Sequence, residues 1–141
     1  MLALSSDHAG YPLKQIVMEY LDQQGLSYHD YGCYSTESCD YPDYAHPMAQ
    51  SIEDGICDRG IAICSTGNGI TMTANHHPGI RAALCWNADI ARLARQHNDA
   101  NVIGLPANFV SPETAIELVH IFLTTEFEGG RHARRVGKIP C

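Results

Sequence analysis

The sequence predicts an α/β protein: a parallel sheet with helices on both faces. Short apolar runs of strand length alternate with amphipathic helical patterns along the chain. Their spacing also leaves room for a helix in each crossover, as parallel neighbours require. Five such strands suggest the flavodoxin-like order 2-1-3-4-5. In that order the chain reverses direction between strands 1 and 3, and a ligand crevice opens there, outside the strand C-termini.

The elements follow in order. Met1–Leu4 is the first strand. The helix after it puts Leu13, Ile16, Val17, Tyr20 and Leu21 on one face, with Pro12 in its first turn and Gly25 as its stop. Ser27–Tyr31 is a weaker strand, and Asp43 to Ile52 a second helix. Gly60–Cys64 is the third strand, followed by a short helix from Asn68 to His76. Ile80–Cys85 precedes a helix from Asn87 to His97 with Ile90, Leu93 and Ala94 inward. Val102–Leu105 is the last strand. Ser111-Pro112 then opens a fifth helix, a capping hydroxyl followed by proline at the first helical position, carrying Ile116, Val119 and Leu123. Residues 126–141 read as a polar, basic tail beginning at Gly129-Gly130. The 141 residues fit a single domain, and no internal repeat or linker interrupts them.

Composition excludes several classes of function. With 45% hydrophobic and 18% charged residues the chain is globular rather than disordered. Nine Lys and Arg against sixteen Asp and Glu give a net charge of −7, which argues against non-specific nucleic-acid binding. No stretch approaches the ~18 apolar residues of a membrane span. The start, Met1-Leu2-Ala3-Leu4-Ser5-Ser6, lacks the features of a signal peptide, so a cytoplasmic protein is expected. Its six cysteines, Cys33, Cys39, Cys57, Cys64, Cys85 and Cys141, form no C-x-x-C pair and read as free thiols, most of them small core hydrophobes. The eight histidines show no metal-ligand spacing, and no metal is expected.

The loops after strands 1 and 3 are the most unusual in the chain. In Ser6-Asp7-His8-Ala9-Gly10, Asp7 alone reads as a helix cap and His8 alone as a packed imidazole. Cys64-Ser65-Thr66-Gly67-Asn68-Gly69 leads into a helix, and its glycines let backbone amides converge on an anion. No Lys-Ser/Thr follows, so it is not a nucleotide-binding P-loop. A cysteine at the strand end beside such dipoles suits a reactive thiolate, although a buried structural thiol fits these facts equally well. Gln96-His97-Asn98-Asp99 ends the fourth helix as a polar cap. Arg131, Arg134 and Arg135 cluster in the tail, and if it is helical Arg131 and Arg135 share a face, an arrangement that clamps a phosphate.

Taken in order, Asp7-His8-Ala9-Gly10, Asp40-Tyr41-Pro42, Cys64-Ser65-Thr66-Gly67-Asn68-Gly69, Gln96-His97-Asn98 and Gly130-Arg131-His132 with Arg135 resemble, in type and spacing, the B-type ribose-5-phosphate isomerases. Their family includes isomerases of galactose 6-phosphate and allose 6-phosphate. The resemblance covers essentially the whole chain. It implies a Rossmann-like three-layer α/β/α sandwich, a homodimer or dimer of dimers with shared active sites, a small phosphorylated sugar as substrate, and no metal or organic cofactor.

By the same resemblance, Cys64 corresponds to the base that moves a proton between C1 and C2 through an enediolate, and Thr66 to the hydroxyl that shuttles a proton between the two oxygens. The Gly67, Asn68 and Gly69 backbone corresponds to the loop holding the enediolate oxygens. His97, aided by Asp7 and Asn98, resembles the group that opens the furanose ring. Tyr41 lines the sugar pocket, and His8, Arg131 and Arg135 occupy phosphate-binding positions. Some relatives replace the cysteine with a glutamate further along the loop; Ile70 at that position leaves only the cysteine version. The expected reaction is D-ribose 5-phosphate to D-ribulose 5-phosphate in the pentose phosphate pathway. Other sugar phosphates, or a non-catalytic phosphate-sensing module, are the alternatives, and the Gly-Gly-Arg-His-x-x-Arg tail argues against the galactose subtypes. Two features depart from the pattern: Leu105-Pro106-Ala107-Asn108-Phe109 has Asn108 where many relatives carry an arginine, and the tail is short.

His97 sits on the link into the last strand, at the expected edge of the sheet opposite the crevice. It should not reach Cys64 of its own chain. If it is catalytic, a partner subunit supplies it.

Overall fold

The structure is a computed structural model that describes residues 1–140. In chain order it contains β1 (Leu2–Ser6), α1 (Tyr11–Gln23), β2 (Tyr28–Asp30), α2 (Pro42–Glu53), β3 (Arg59–Cys64), α3 (Asn68–Ala74), β4 (Ala82–Leu84), α4 (Ala88–Gln96), β5 (Val102–Pro106), α5 (Pro112–Thr124) and α6 (Arg131–Val136). The expected strands and helices all form, with ends displaced by a few residues. The addition is α6, which makes part of the expected tail helical.

All strand pairings are parallel. The order, however, is β2-β1-β3-β5-β4 and not 2-1-3-4-5. The exchange of the last two strands follows from their composition. Every residue of β5, Val102-Ile103-Gly104-Leu105-Pro106, is buried, which calls for a neighbour on each side. The three residues of β4 are only half-buried, as suits a short strand at an exposed edge. The reversal between β1 and β3 is unaffected, so the crevice stays where it was expected.

Two cores flank the sheet. On one face Leu13, Val17 and Leu21 of α1, Ala91 and Ala94 of α4, and Leu118, Val119 and Phe122 of α5 pack on Leu4, Ile61, Ile63, Ile103 and Leu105. On the other, Ala45, Met48 and Ala49 of α2 and Ile70 and Ala74 of α3 pack on Ala3, Ala62 and Cys64. The period-2 alternation of a strand thus sends Ile61 and Ile63 to the first face and Ala62 and Cys64 to the second.

Three contacts draw the loop after β1 against its neighbours. The Asp7 amide donates to the Ile63 carbonyl (3.2 Å), the Ser6 amide to the Gly32 carbonyl (2.7 Å), and the Cys33 amide to the Ser6 carbonyl (2.8 Å). The approach is close enough that a Cβ on Gly10 would lie 2.4 Å from the Ile63 carbonyl oxygen. Gly10 has ordinary helical dihedrals, so the constraint is space and not strain. Gly10→Ala is therefore expected to force β1 and β3 apart at the crevice, costing about 1–3 kcal/mol. Thermal denaturation should record a clear fall in Tm; an unchanged Tm would show that the loop yields freely.

Candidate active site

The crevice side of the molecule is built from β1, β3 and the loops that leave them. Cys64 ends β3 with its side chain buried among Ala3, Met48 and Ile70. Its carbonyl accepts from the Ala107 amide (2.9 Å), and the Ser65 carbonyl accepts from the Asn108 amide (3.0 Å), so the loop after β5 holds the loop after β3. Gly67 caps α3 in the left-handed region (φ 75°). A Cβ there would lie 2.4 Å from Leu84 Cδ1, so glycine is required both by conformation and by space. The Thr66 hydroxyl accepts from the Asn68 amide (3.2 Å). The Asn68 amide is thus engaged by Thr66, whereas the Gly69 amide that follows has no intrahelical acceptor and is available to an anion.

The other crevice residues gather round this loop. Asp7 Oδ1 accepts from the Gly10 amide (2.9 Å), an Asx-type contact ahead of α1. His8 Nδ1 accepts from the Cys39 amide (3.2 Å), which leaves Nε2 to carry the proton and act as a donor. Tyr41, at the N-terminus of α2, lies over Gly69, where a Cβ would sit 2.5 Å from the ring. A cleft of about 410 Å³ opens beside them, lined by Tyr41, His46, Gly69 and Met72 among others.

One contributor was not legible in the sequence. Lys14 lies on the buried face of α1 with its side chain wholly inaccessible, and its Nζ donates to Asp30 Oδ1 (2.7 Å) and to the Cys33 carbonyl. That pair ties α1 to the loop after β2, which in turn orients His8 through Cys39. A lysine between Leu13 and Gln15 gives no sign of this.

The remaining expected residues lie elsewhere. His97 caps the C-terminus of α4 and stacks on His132 of α6, the ring centroids 4.1 Å apart and nearly parallel. The Glu128 amide donates to the Gln96 carbonyl (3.1 Å), fixing α6 beside the end of α4. Asn98 and Asp99 form the turn into β5, and two arginines clamp it. Arg81 donates to the Asn98 and Asp99 carbonyls, and Arg95, itself buried, donates to Asp99 Oδ1 (2.8 Å) and the Ala100 carbonyl (2.7 Å). Asp99 takes a left-handed φ of 47° there, a conformation the clamp supports. Arg131 and Arg135 lie one helical turn apart on α6, both exposed, and neither is ion-paired among the described residues. Burial, and then the neighbouring His97 and Arg131, push the His132 imidazole below its ordinary pKa.

The candidate residues therefore form two groups at opposite ends of the strands. Asp7, His8, Tyr41, Cys64, Thr66, Gly67, Asn68 and Gly69 stand at the C-terminal ends, and His97, Asn98, Arg131 and Arg135 at the N-terminal ends. The register makes the gap concrete. Gly60 pairs with Val102 and Cys64 with Pro106, so Cys64 is a strand length of ~13 Å beyond the point where the His97 segment enters the sheet. The expected separation of His97 from Cys64 holds, but its cause is corrected. β5 is an internal strand, not the edge, and the two residues are divided along the strand axis instead of across the sheet.

The described cysteines, Cys33, Cys39, Cys57, Cys64 and Cys85, are all free, and Cys141 lies outside the described residues. Burial pushes the Cys85 thiol up to about 12, which makes it an inert core group. No helix among the described residues is long and apolar enough to cross a membrane.

Residues 2–139 match the family described as Ribose/Galactose Isomerase. A solved ribose 5-phosphate isomerase from Thermotoga maritima is 50% identical, superposes with a TM-score of 0.96, and aligns over 98% of this chain and 95% of its own. Ribose-5-phosphate isomerase B from Mycoplasma genitalium, solved with bound ribulose-5-phosphate, is 42% identical with a TM-score of 0.92, over 98% of this chain and 92% of its own. The D-erythrulose-4-phosphate isomerase of Pectobacterium atrosepticum is 43% identical over 98% of this chain and 91% of its own length.

Proposed function

This chain belongs to the ribose/galactose isomerase family, and on that premise we propose that it interconverts D-ribose 5-phosphate and D-ribulose 5-phosphate through an enediolate. The observation that carries the reading is the thiol of Cys64 at the end of β3, in the crevice between β1 and β3, against a glycine-rich loop that enters α3 and can turn its amides to an oxyanion. In this reading Cys64, as thiolate, takes the proton from C2 of the open-chain aldose. The electron pair passes into the C1 carbonyl, whose oxygen becomes the enediolate oxygen held by the Gly67, Asn68 and Gly69 amides. Thr66 moves a proton between O1 and O2, and Cys64 returns its proton to C1. A positioned base contributes roughly 10²–10⁴ in rate, and each donor aimed at the developing oxyanion roughly 10²–10³.

The two groups of residues become one site when the His97 end of one copy meets the Cys64 end of another. His97, with Asn98 and the second copy's Asp7, then moves the proton of the anomeric hydroxyl to the ring oxygen, so that the bond from C1 to that oxygen breaks and the furanose opens to the C1 aldehyde. His8 binds the phosphate from one side and Arg131 and Arg135 from the other. Exposed apolar side chains on the crevice end support such a contact. Tyr34, Trp86 and Phe109 follow β2, β4 and β5 with exposures of 66, 52 and 71%, and Met72 on α3 is 65% exposed. The functional unit in this reading is a cytoplasmic homodimer or dimer of dimers, with residues 126–141 contributing to the phosphate site.

A coupled assay across four-, five- and six-carbon aldose phosphates, with and without a chelator, tests the assignment. Turnover should be greatest with ribose 5-phosphate and indifferent to the chelator. The Pectobacterium relative favours a second reading, in which a four-carbon sugar phosphate is preferred, and the same assay separates the two.

The side chain of Asn108 donates to Ser65 Oγ (2.7 Å), at the rim of the Cys64 loop. Replacing it with arginine would add a charge-assisted contact to the phosphate, worth about 1.5–3 kcal/mol, or roughly ten- to a hundredfold in binding. Because the phosphate is remote from C1 and C2, the gain is shared by ground and transition states. Asn108→Arg should therefore lower KM for ribose 5-phosphate, leave kcat nearly unchanged and add salt sensitivity. Steady-state kinetics with an unchanged or raised KM would mean that this loop does not face the phosphate.

A further inference from the structure

The fold assembles a set of donor atoms that no spacing along the chain foretells. His97, at the end of α4, His132, on α6, and Glu128, just before α6, bring a ligand atom each to within 4.8 Å of one another. Glu128 Oε1 lies 3.5 Å from His132 Nε2 and 3.9 Å from His97 Nε2. Donor atoms about 2.0–2.2 Å from a tetrahedral zinc stand ~3.3–3.5 Å apart, so the Glu128–His132 separation already fits, while His97 must move closer to both of the others, which lie within 4.8 Å of it.

A second observation points to a ligand. The His132 side chain is only 9% exposed, and its Nε2, buried and facing Glu128, has no hydrogen-bond partner. An orphaned buried nitrogen is costly unless something completes it.

We propose that His97, Glu128 and His132 form a binding site for a divalent transition-metal ion of the zinc class, and that the bound ion inhibits the enzyme by engaging His97. The inhibitory half rests on the reading of His97 as the ring-opening group. His132 is the fixed ligand. The rings are stacked, so His97 must tilt out of the stack to aim its lone pair at the ion, and its 39% side-chain exposure gives it room. Two imidazoles and a carboxylate suit zinc, with a fourth position left to water. The nearby Arg131 and Arg135 oppose added positive charge, which matches a reversible ion and not a permanent structural one.

The test uses the intact protein and two probes. Zn²⁺ affinity is measured by competition with a chromogenic chelator, and Co²⁺ is used to read the ligand field. Glu128→Gln is the principal variant because its side chain is half exposed, and His132→Gln repeats the test. Tight Co²⁺ absorption of tetrahedral type is expected in the wild type, with Zn²⁺ affinity falling about tenfold or more in either variant, the loss already seen when outer-shell partners are removed. Zn²⁺ should slow turnover of cyclic ribose 5-phosphate far more than that of ribulose 5-phosphate. The ketose has its O5 esterified and cannot close a furanose ring, so it needs no ring opening. Glu128→Gln should lose the inhibition, with the rate of each protein in Zn²⁺ scored against its own metal-free rate. Absent binding, or binding that neither variant weakens, overturns the site. Binding as expected with equal inhibition in both directions overturns the inhibitory half, and marks a failure of the His97 reading separately from the site.

Discussion

Cys64→Ala should lower isomerisation by roughly 10²–10⁴ or more while leaving the fold and phosphate binding intact. The side chain is small and buried against Ala3 and Ile70, so its removal opens little space. The loop that follows is held by the backbone contacts to Ala107 and Asn108, which the substitution does not touch. The variant should therefore retain its Tm within a few degrees and still bind a non-reacting phosphorylated sugar acid, as calorimetry would measure. Near-normal turnover by the purified variant would end the thiolate mechanism. Normal binding with lost turnover would separate the proton transfer from the substrate grip, as a base that contacts only the reacting carbons demands.

The second large effect is a gain. Cys64→Ala and His97→Ala should each be inactive toward ribose 5-phosphate, and a mixture of the two should recover activity. If sites form between copies, a heterodimer holds one site with both defects and one with none. An equal mixture that exchanges subunits freely is half heterodimer, which predicts about a quarter of wild-type activity for a two-fold symmetric dimer. Mass spectrometry verifies the exchange. Demonstrated exchange without recovered activity would place both groups in one chain's site, against the separation along the strands. The His97→Ala protein has its own signature, since it should turn over acyclic ribulose 5-phosphate better than ribose 5-phosphate.

What could be read from the residues, and what could not, divides along physical lines. Local periodicity and punctuation placed every strand and helix up to α5, because apolar spacing, Pro12, Gly25 and Ser111-Pro112 act within a few residues of themselves. The loops after β1 and β3 were found because a sheet concentrates chemistry where its chain reverses. The order of the last two strands was not legible. Whether β5 or β4 takes the inner position depends on which has the longer buried run, and that is a competition between distant segments. The same holds for Lys14, Arg81 and Arg95, whose partners are carbonyls and carboxylates that only the fold brings near. His132 and Glu128 belong with them: each reads as tail, and only the docking of α6 against the end of α4 makes them neighbours of His97. The Asp7 and Tyr41 positions came from a motif pattern, since neither has a local signal stronger than a helix start.

The placement of Arg131 and Arg135 and of the Cys64 thiol at opposite poles of one subunit has, under the proposed function, a consequence for selectivity. In an enzyme whose pocket lies within one chain, the span between the reacting carbon and the phosphate is set by side chains lining a cavity. In the proposed shared site α6 and the Cys64 loop belong to different copies, so that span would be set by how two copies abut. A sugar one carbon longer could be admitted by a small slide of one subunit against the other, with every pocket residue unchanged. Substrate length would then be a quaternary property. Substitutions at the seam, far from any substrate atom, would be the natural means by which closely similar chains come to prefer four-, five- or six-carbon sugars.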